Sequence, residues 1–454
     1  MLLSLRKRLC GPVTAARHEG FHLHVLARAH EPPSKDSEDK PSNWALDAIC
    51  RIVALCLAFR VLPDPARGIT RHPIPKPDGG ERPLSLTHAI YAEVSGIVAK
   101  TMTAAIEEGE ALPDSVHAYR PEHGTWMCLF PHVAAVEHAL RSGEPLYILS
   151  DDWEKFYDAV PLDIILLCLR AGGCPERGYA EWAAEVMHDR GTWVSTPVGF
   201  TTRLTHDCGF LQGSAFSCCA VNFVVATLHR LWKRNTTGTT MVSGAAKALL
   251  HMLGYCDDNT AYLTTYDELI KAEKAFGAFS MGARVGRNTS ATKGAKVFGF
   301  NMHKDKTWLD AGSPTHITSV AWSRAAPDTD GPNRDAPFPD TGAIRRSIIP
   351  IVDARTTPEF EYKYLGAQLG VALTPASQQR HGAKVINKAC AFMSHSSRGT
   401  IGADTARESL RSTGASAIHA CMATGVAGVA LETADRTLIR QLRKKHRLHH
   451  APVG

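Results

Sequence analysis

Two short apolar runs that each lead into a pair of aspartates constrain this chain more than any other feature. In PLYILSDD (145–152) and MLGYCDDNTAYL (252–263), β-prone residues run directly into adjacent carboxylates. Apolar runs of this length read as strands, so each pair would project from the lip of a sheet. The second run continues apolar beyond its polar tip and predicts a hairpin with Asp257 and Asp258 at the turn. Carboxylates crowded together repel, and a divalent cation is the natural reason to hold them in one place. Two such strands side by side can hold two cations ~3.5–4 Å apart, the geometry that supports in-line phosphoryl transfer. Aspartate also favours turns for its own local hydrogen bonding, so YCDD alone stays open to a purely structural reading.

The rest of the chain is organised around these runs. Its 454 residues suit two or three packed subdomains. A net charge of +6 is slight for that length and encourages an anionic partner only mildly. The 12 cysteines include no CxxC pair, which excludes zinc-ribbon and redox-motif readings, and most sit in apolar stretches as reduced thiols would. The longest apolar runs are interrupted by arginine or stop near 14 residues (Ala215 to Leu228), short of the ~20 a membrane span needs. Residues 1–66 form an N-terminal extension with a polar linker at 31–43. Helices are expected over 44–62, 87–108, 161–171, 209–232 and 267–280, with a β-hairpin in PIPKPDGGERP (73–83). An exposed loop covers 323–342. A helical region from 373 ends in the basic run RTLIRQLRKKHRLHH. Strands and helices interleave without a regular βαβ rhythm, which predicts α+β.

Three segments in order resemble the palm of reverse transcriptases. In SDDWEKFYDAVP, Asp152, Lys155, Tyr157 and Asp158 have the spacing of that family's first palm motif, whereas Asp151 does not. GFLQGSAFSCCAVN is similar to the second motif at Gln212, Gly213, Ser217 and Asn222, and YCDD to the third at Asp257 and Asp258. PIPKPDGGERPLSL and HAYRPEHGT are similar to finger motifs. FGAFSMGARVGRNTSATKG is similar to a fourth palm motif, and YKYLGAQLG to a segment that follows the palm in enzymes of non-LTR retrotransposons. Cys218 and Cys256 depart from the residues commonest at their positions, the Asn288 to Lys293 spacing is longer than usual, and 301–360 is an insertion.

This resemblance implies a right-hand polymerase fold: fingers and palm over 67–372, with an antiparallel palm sheet packed on helices, then a helical thumb over 373–454. It implies an RNA-templated DNA polymerase with an RNA template, a DNA primer and dNTPs as partners, and no membrane. Asp152, Asp257 and Asp258 would hold two Mg²⁺ ions, with Mn²⁺ as the alternative. Lys76 and Arg82 would contact the triphosphate. Gln212 and Gly213 would lie against the template and nascent pair, with glycine admitting close backbone approach. Tyr157 would exclude a ribose hydroxyl, the bland alternative being a core aromatic. Lys293 would protonate pyrophosphate, the alternative being a surface lysine. Within the family, a group II intron or retron-like enzyme competes with the non-LTR reading, and a decayed copy that binds nucleic acid without polymerising is the non-enzymatic alternative. Localisation is expected to be intracellular and nuclear, with an organelle as the alternative.

Overall fold

A computed structural model describes residues 44–75, 81–188, 191–196, 198–205, 209–243, 246–288, 295–323, 343–357, 360–365 and 367–370. The expected thumb and basic C-terminus, with Lys76 and Lys293, fall outside these described residues. Helix α1 (Trp44–Phe59) precedes the hairpin β1 (Ile69–Pro75) and β2 (Glu81–Thr87), then α2 (Ala89–Glu108) and α3 (Trp126–Ser142). Next come β3 (Leu146–Asp151), β4 (Trp153–Glu154), α4 (Phe156–Ala159), α5 (Leu162–Ala171) and α6 (Tyr179–His188). Three short strands, β5 (Gly191–Thr196), β6 (Gly199–Phe200) and β7 (Leu204–Thr205), lead to the long helix α7 (Ala215–Asn235). The hairpins β8 (Thr239–Ser243) with β9 (Ala246–Leu250), and β10 (Met252–Tyr255) with β11 (Asp258–Leu263), precede α8 (Tyr266–Ala283). The described chain closes with β12 (Gly286–Arg287), β13 (Lys296–Phe300), α9 (Lys306–Asp310), β14 (His316–Ser323), β15 (Ala343–Asp353), β16 (Glu361–Tyr364) and β17 (Ala367–Gly370). The arrangement is α+β, as the interleaved pattern predicts.

The central sheet has six strands in the order β10-β11-β3-β13-β15-β14. Its first four strands are antiparallel, and β15 joins β13 in parallel through Val297↔Ile351. The region expected as an insertion therefore extends the sheet instead of hanging from it, and Ser323, placed at the start of the exposed loop by sequence, ends β14. Alternate side chains of β3 feed two cores. Tyr147 and Leu149 pack with the helices, while Leu146 and Ile148 pack with α3 and the tyrosines of β16. A sheet covered on both faces needs apolar residues at successive positions, which explains why LYIL reads as a continuous run.

Helix α8 starts where Thr265 accepts a hydrogen bond from the Glu268 backbone and ends at Arg284 in a left-handed conformation. It packs on α7, where the Trp232 indole donates to the Ala272 carbonyl at 3.0 Å. Helix α7 is long and apolar enough to cross a membrane by length and composition, unlike the 14-residue run expected from sequence. Most of that window is buried inside the protein, as a core helix is. His132 of α3 ties the YLG segment to the sheet, with Nδ1 2.8 Å from the Tyr262 hydroxyl, Nε2 2.7 Å from the Tyr362 hydroxyl, and its ring stacked on Tyr364. A smaller sheet takes β1 and β2 in antiparallel register, Ile69↔Thr87 to Pro75↔Glu81, with β5 parallel to β1. Cys218 and Cys219 are both free thiols.

Candidate active site

The antiparallel register of β3 against β11 pairs Asn259 with Asp151 and Thr260 with Ser150. One step further along the same ladder brings Asp152 level with Asp258, beside the turn that joins β10 to β11. Adjacent strands lie ~4.8 Å apart, so both acidic segments meet at one strand end. The turn itself is Cys256 and Asp257, with Cys256 at a φ of +63°, while Asp258 opens the return strand. This corrects the expected placement of both aspartates in the turn: the Tyr255↔Asp258 pair closes the ladder one residue earlier. Asp258 is exposed and Asp257 and Asp152 are half-buried.

Asp151 and Asp152 are held by two consecutive residues of one segment. The Asn288 side-chain amide donates to Asp152 Oδ2 at 2.7 Å, and its backbone N–H donates to the Asp152 carbonyl at 2.8 Å. One residue earlier, the Arg287 guanidinium stands 2.7 Å from Asp151 Oδ1 with both side chains fully buried, and it also reaches Glu273 and Ser319 and covers the Phe276 ring. The strand pair Arg287↔Trp153 sets this alignment. Burial raises the Asp151 pKa while the Arg287 charge opposes it. Asp151 therefore faces the interior, while Asp152, the acid that the motif spacing singles out, is half-buried. Lys296, at the start of β13, feels the Asp152 charge, while burial draws its ammonium pKa downward.

Tyr157 reaches the turn that joins β10 to β11. Its hydroxyl is 2.9 Å from that of Tyr119 and receives a hydrogen bond from Cys256 Sγ at 3.2 Å. Burial raises the pKa of all three groups, Cys256 to about 12, so they stand here as neutral donors and acceptors. The Tyr157 ring meets Phe156 and Phe210 edge to face, and the Phe210 N–H donates to the Tyr157 carbonyl. Asp158 forms an ion pair with Arg71 of β1 at 3.8 Å, tying the first palm motif to the finger hairpin.

The second motif packs against the β1–β2 hairpin. The Ser85 N–H of β2 donates to the Gln212 carbonyl at 2.9 Å, and a Cβ on Gly213, whose φ is +109°, would stand 3.0 Å from the Ser85 carbonyl. The close approach that requires glycine here is thus made by the finger strand. Asn222, buried on α7, donates to the Ala118 carbonyl at 2.6 Å. Arg82 lies on β2 opposite Ile74.

Sequence reasoning missed Tyr119, Arg287 and Asn288 as neighbours of the site. Only the doublet form of DD hinted that one acid would be buried and need a cation. Nothing local pointed to Arg287, because its contacts come from α8, β3 and β14. Among the described residues, no group of three His, Cys, Asp or Glu side chains forms a ready-made metal cage. The donor set is instead hard carboxylate oxygen at one strand end. That suits Mg²⁺, which is usually held by one or two carboxylates with water and substrate phosphates completing the shell.

The profile described as "Reverse transcriptase (RNA-dependent DNA polymerase)" matches residues 74–318, more than half of the chain. The chain belongs to the reverse transcriptase family. The match contains every described element from β2 to α9, including both acidic segments. Among solved structures, the chain is similar to apo telomerase from Candida tropicalis truncated from its C-terminal domain, at 12% identity and a TM-score of 0.36. That match covers 65% of this chain and 62% of the telomerase chain. No curated protein matches.

Proposed function

We propose that this protein is an RNA-templated DNA polymerase that extends a primer with dNTPs, of the non-LTR retrotransposon type. The observation that carries the reading is the β3–β11 register, which sets Asp152 level with Asp258 and beside the Cys256–Asp257 turn. Bound there, two Mg²⁺ ions would supply charge neutralisation at the attacking 3′-hydroxyl and at the leaving pyrophosphate. Asp152 and Asp257 would hold both ions and Asp258 would support one, with Asn288 orienting the Asp152 carboxylate. Lys76 and Arg82 would clamp the triphosphate, where the planar Arg fork suits bidentate contact. Lys293 would donate the proton to pyrophosphate. Tyr157, fixed against Cys256, would stand under the sugar and exclude a 2′-hydroxyl. Gln212 and Gly213 would shape the floor beneath the nascent pair through their contact with Ser85. The non-LTR assignment is supported by the YKYLGAQLG segment, which folds as the β16–β17 hairpin against His132. A nuclear site of action follows from that assignment.

Primer extension on an RNA template with Mg²⁺ tests the reading. Wild type should incorporate dNTPs, and Asp257→Ala/Asp258→Ala should lose at least about 10³-fold in rate, on the order of 4 kcal/mol of transition-state stabilisation. Absence of extension by folded wild type on both RNA and DNA templates would overturn it.

A further inference from the structure

Two non-glycine residues with a left-handed backbone converge on Tyr157: Cys256 at φ +63° and Tyr119 at +58°. For a bulky aromatic such as Tyr119 this conformation costs of order 1–3 kcal/mol and persists only where the surroundings impose it. The surroundings do impose it. Immediately before Tyr119, the Ala118 carbonyl accepts from the buried Asn222 amide at 2.6 Å. Immediately after it, Arg120 is gripped by both Glu107 carboxylate oxygens, at 2.9 and 2.8 Å, and by the Pro113 and Val116 carbonyls. Between these anchors Tyr119 is 44% exposed as a residue, yet its hydroxyl meets the Tyr157 hydroxyl at 2.9 Å and lies 3.9 Å from Cys256 Sγ. A turn position suited to glycine or asparagine is occupied by a phenol aimed at the Tyr157 hydroxyl.

We propose that Tyr119 is a specificity-determining positioning residue: with Cys256 Sγ, its hydroxyl fixes the ring of Tyr157 so that a ribose 2′-hydroxyl is rejected. Tyr157 is half-buried, and its polar end needs partners. Those partners come from a finger loop and from the catalytic turn, so the ring is braced from two independent segments. Without the Tyr119 hydroxyl, one brace is lost and the ring gains freedom to yield to the extra oxygen. The inference rests on the polymerase reading above and adds to it a residue outside the palm motifs.

The test compares kcat/KM for a deoxynucleotide and the matching ribonucleotide on an RNA template, in wild type, Tyr119→Phe, Tyr119→Asn and Tyr157→Ala. Loss of one hydrogen bond shifts an equilibrium by about three- to tenfold. Tyr119→Phe and Tyr119→Asn should therefore each lower discrimination by about that factor, while deoxynucleotide kcat/KM stays within about twofold. Because asparagine tolerates the left-handed backbone, Tyr119→Asn should keep or raise the melting temperature while discrimination falls, a combination that a merely structural role would not give. Unchanged discrimination in folded Tyr119→Phe and Tyr119→Asn, alongside its loss in Tyr157→Ala, would overturn the Tyr119 role and leave the polymerase intact. Unchanged discrimination in Tyr157→Ala would remove the gate and the inference with it. Failure of wild type to extend at all would instead refute the polymerase reading.

Discussion

At the scale of single residues, the pair of acids at 151 and 152 shows how a charge can be spent on the interior so that its neighbour faces the chemistry. Asp151 and Arg287 are fully buried and 2.7 Å apart, yet neither Asp151 oxygen accepts a hydrogen bond of ordinary geometry. Buried ion pairs are costly to break and cheap to replace as a unit. Arg287→Ala should destabilise the fold by about 3–5 kcal/mol, because it strands both Asp151 and Glu273. Asp151→Leu/Glu273→Leu/Arg287→Met, which removes all three charges together, should recover most of that loss. Urea unfolding of both variants checks this; equal losses would mean that the contact of the Arg287 guanidinium with the Phe276 ring, and not its pairing with the two carboxylates, holds the segment.

At the scale of elements, glycines decide how closely the motifs approach one another. Gly209 has a φ of +88°, and a Cβ there would fall 2.6 Å from the Tyr157 carbonyl and 2.7 Å from Asp158 Cα. Both neighbours are backbone and cannot give way without moving the first palm motif. Gly209→Ala should cost at least about 2 kcal/mol, through strain and the displaced backbone, and should abolish extension even where the protein still folds. Gly213→Ala meets the Ser85 carbonyl at 3.0 Å and Leu84 Cδ1 at an ordinary 3.5 Å, so its effect should be smaller, although its φ of +109° is also unfavourable. Thermal unfolding with parallel extension assays would rank the two, and a greater loss for Gly213→Ala would contradict the order given by these contacts.

At the scale of the whole molecule, histidines join the elements as neutral groups. His132 links α3, β11 and β16; His229 bridges Ser115 and Asn259; His117 donates its backbone N–H to the Gly254 carbonyl in β10. Burial lowers their pKa values to about 3, 4 and 4, against an ordinary value near 6.5. Between the two values the unfolded chain binds protons that the native protein refuses. The stability these groups contribute is therefore complete above about pH 6.5 and falls as pH drops, by about 1.4 kcal/mol per unit for each histidine. Asp151, raised by burial, acts with the opposite sign but stands against three histidines. Urea unfolding should show markedly lower stability at pH 5 than at pH 7.5, and a flat or rising profile on acidification would refute buried neutral histidines.

The local pattern alone determined the elements that carry the motifs. LYIL and the apolar arms around CDDN are strands, FSCCAVNFVVATLHRLW is a helix, and the motif spacing picked Asp152 over Asp151, because periodicity and short-range spacing follow from backbone geometry. The family was legible for the same reason, since its motifs are short and ordered. Other features were not legible. The joining of β15 to β13, the contact of Gly213 with strand β2 and the bracing of Tyr157 by Tyr119 each depend on residues far apart in the chain. Register and close approach are decided by which surfaces bury one another, and no window of sequence contains both partners.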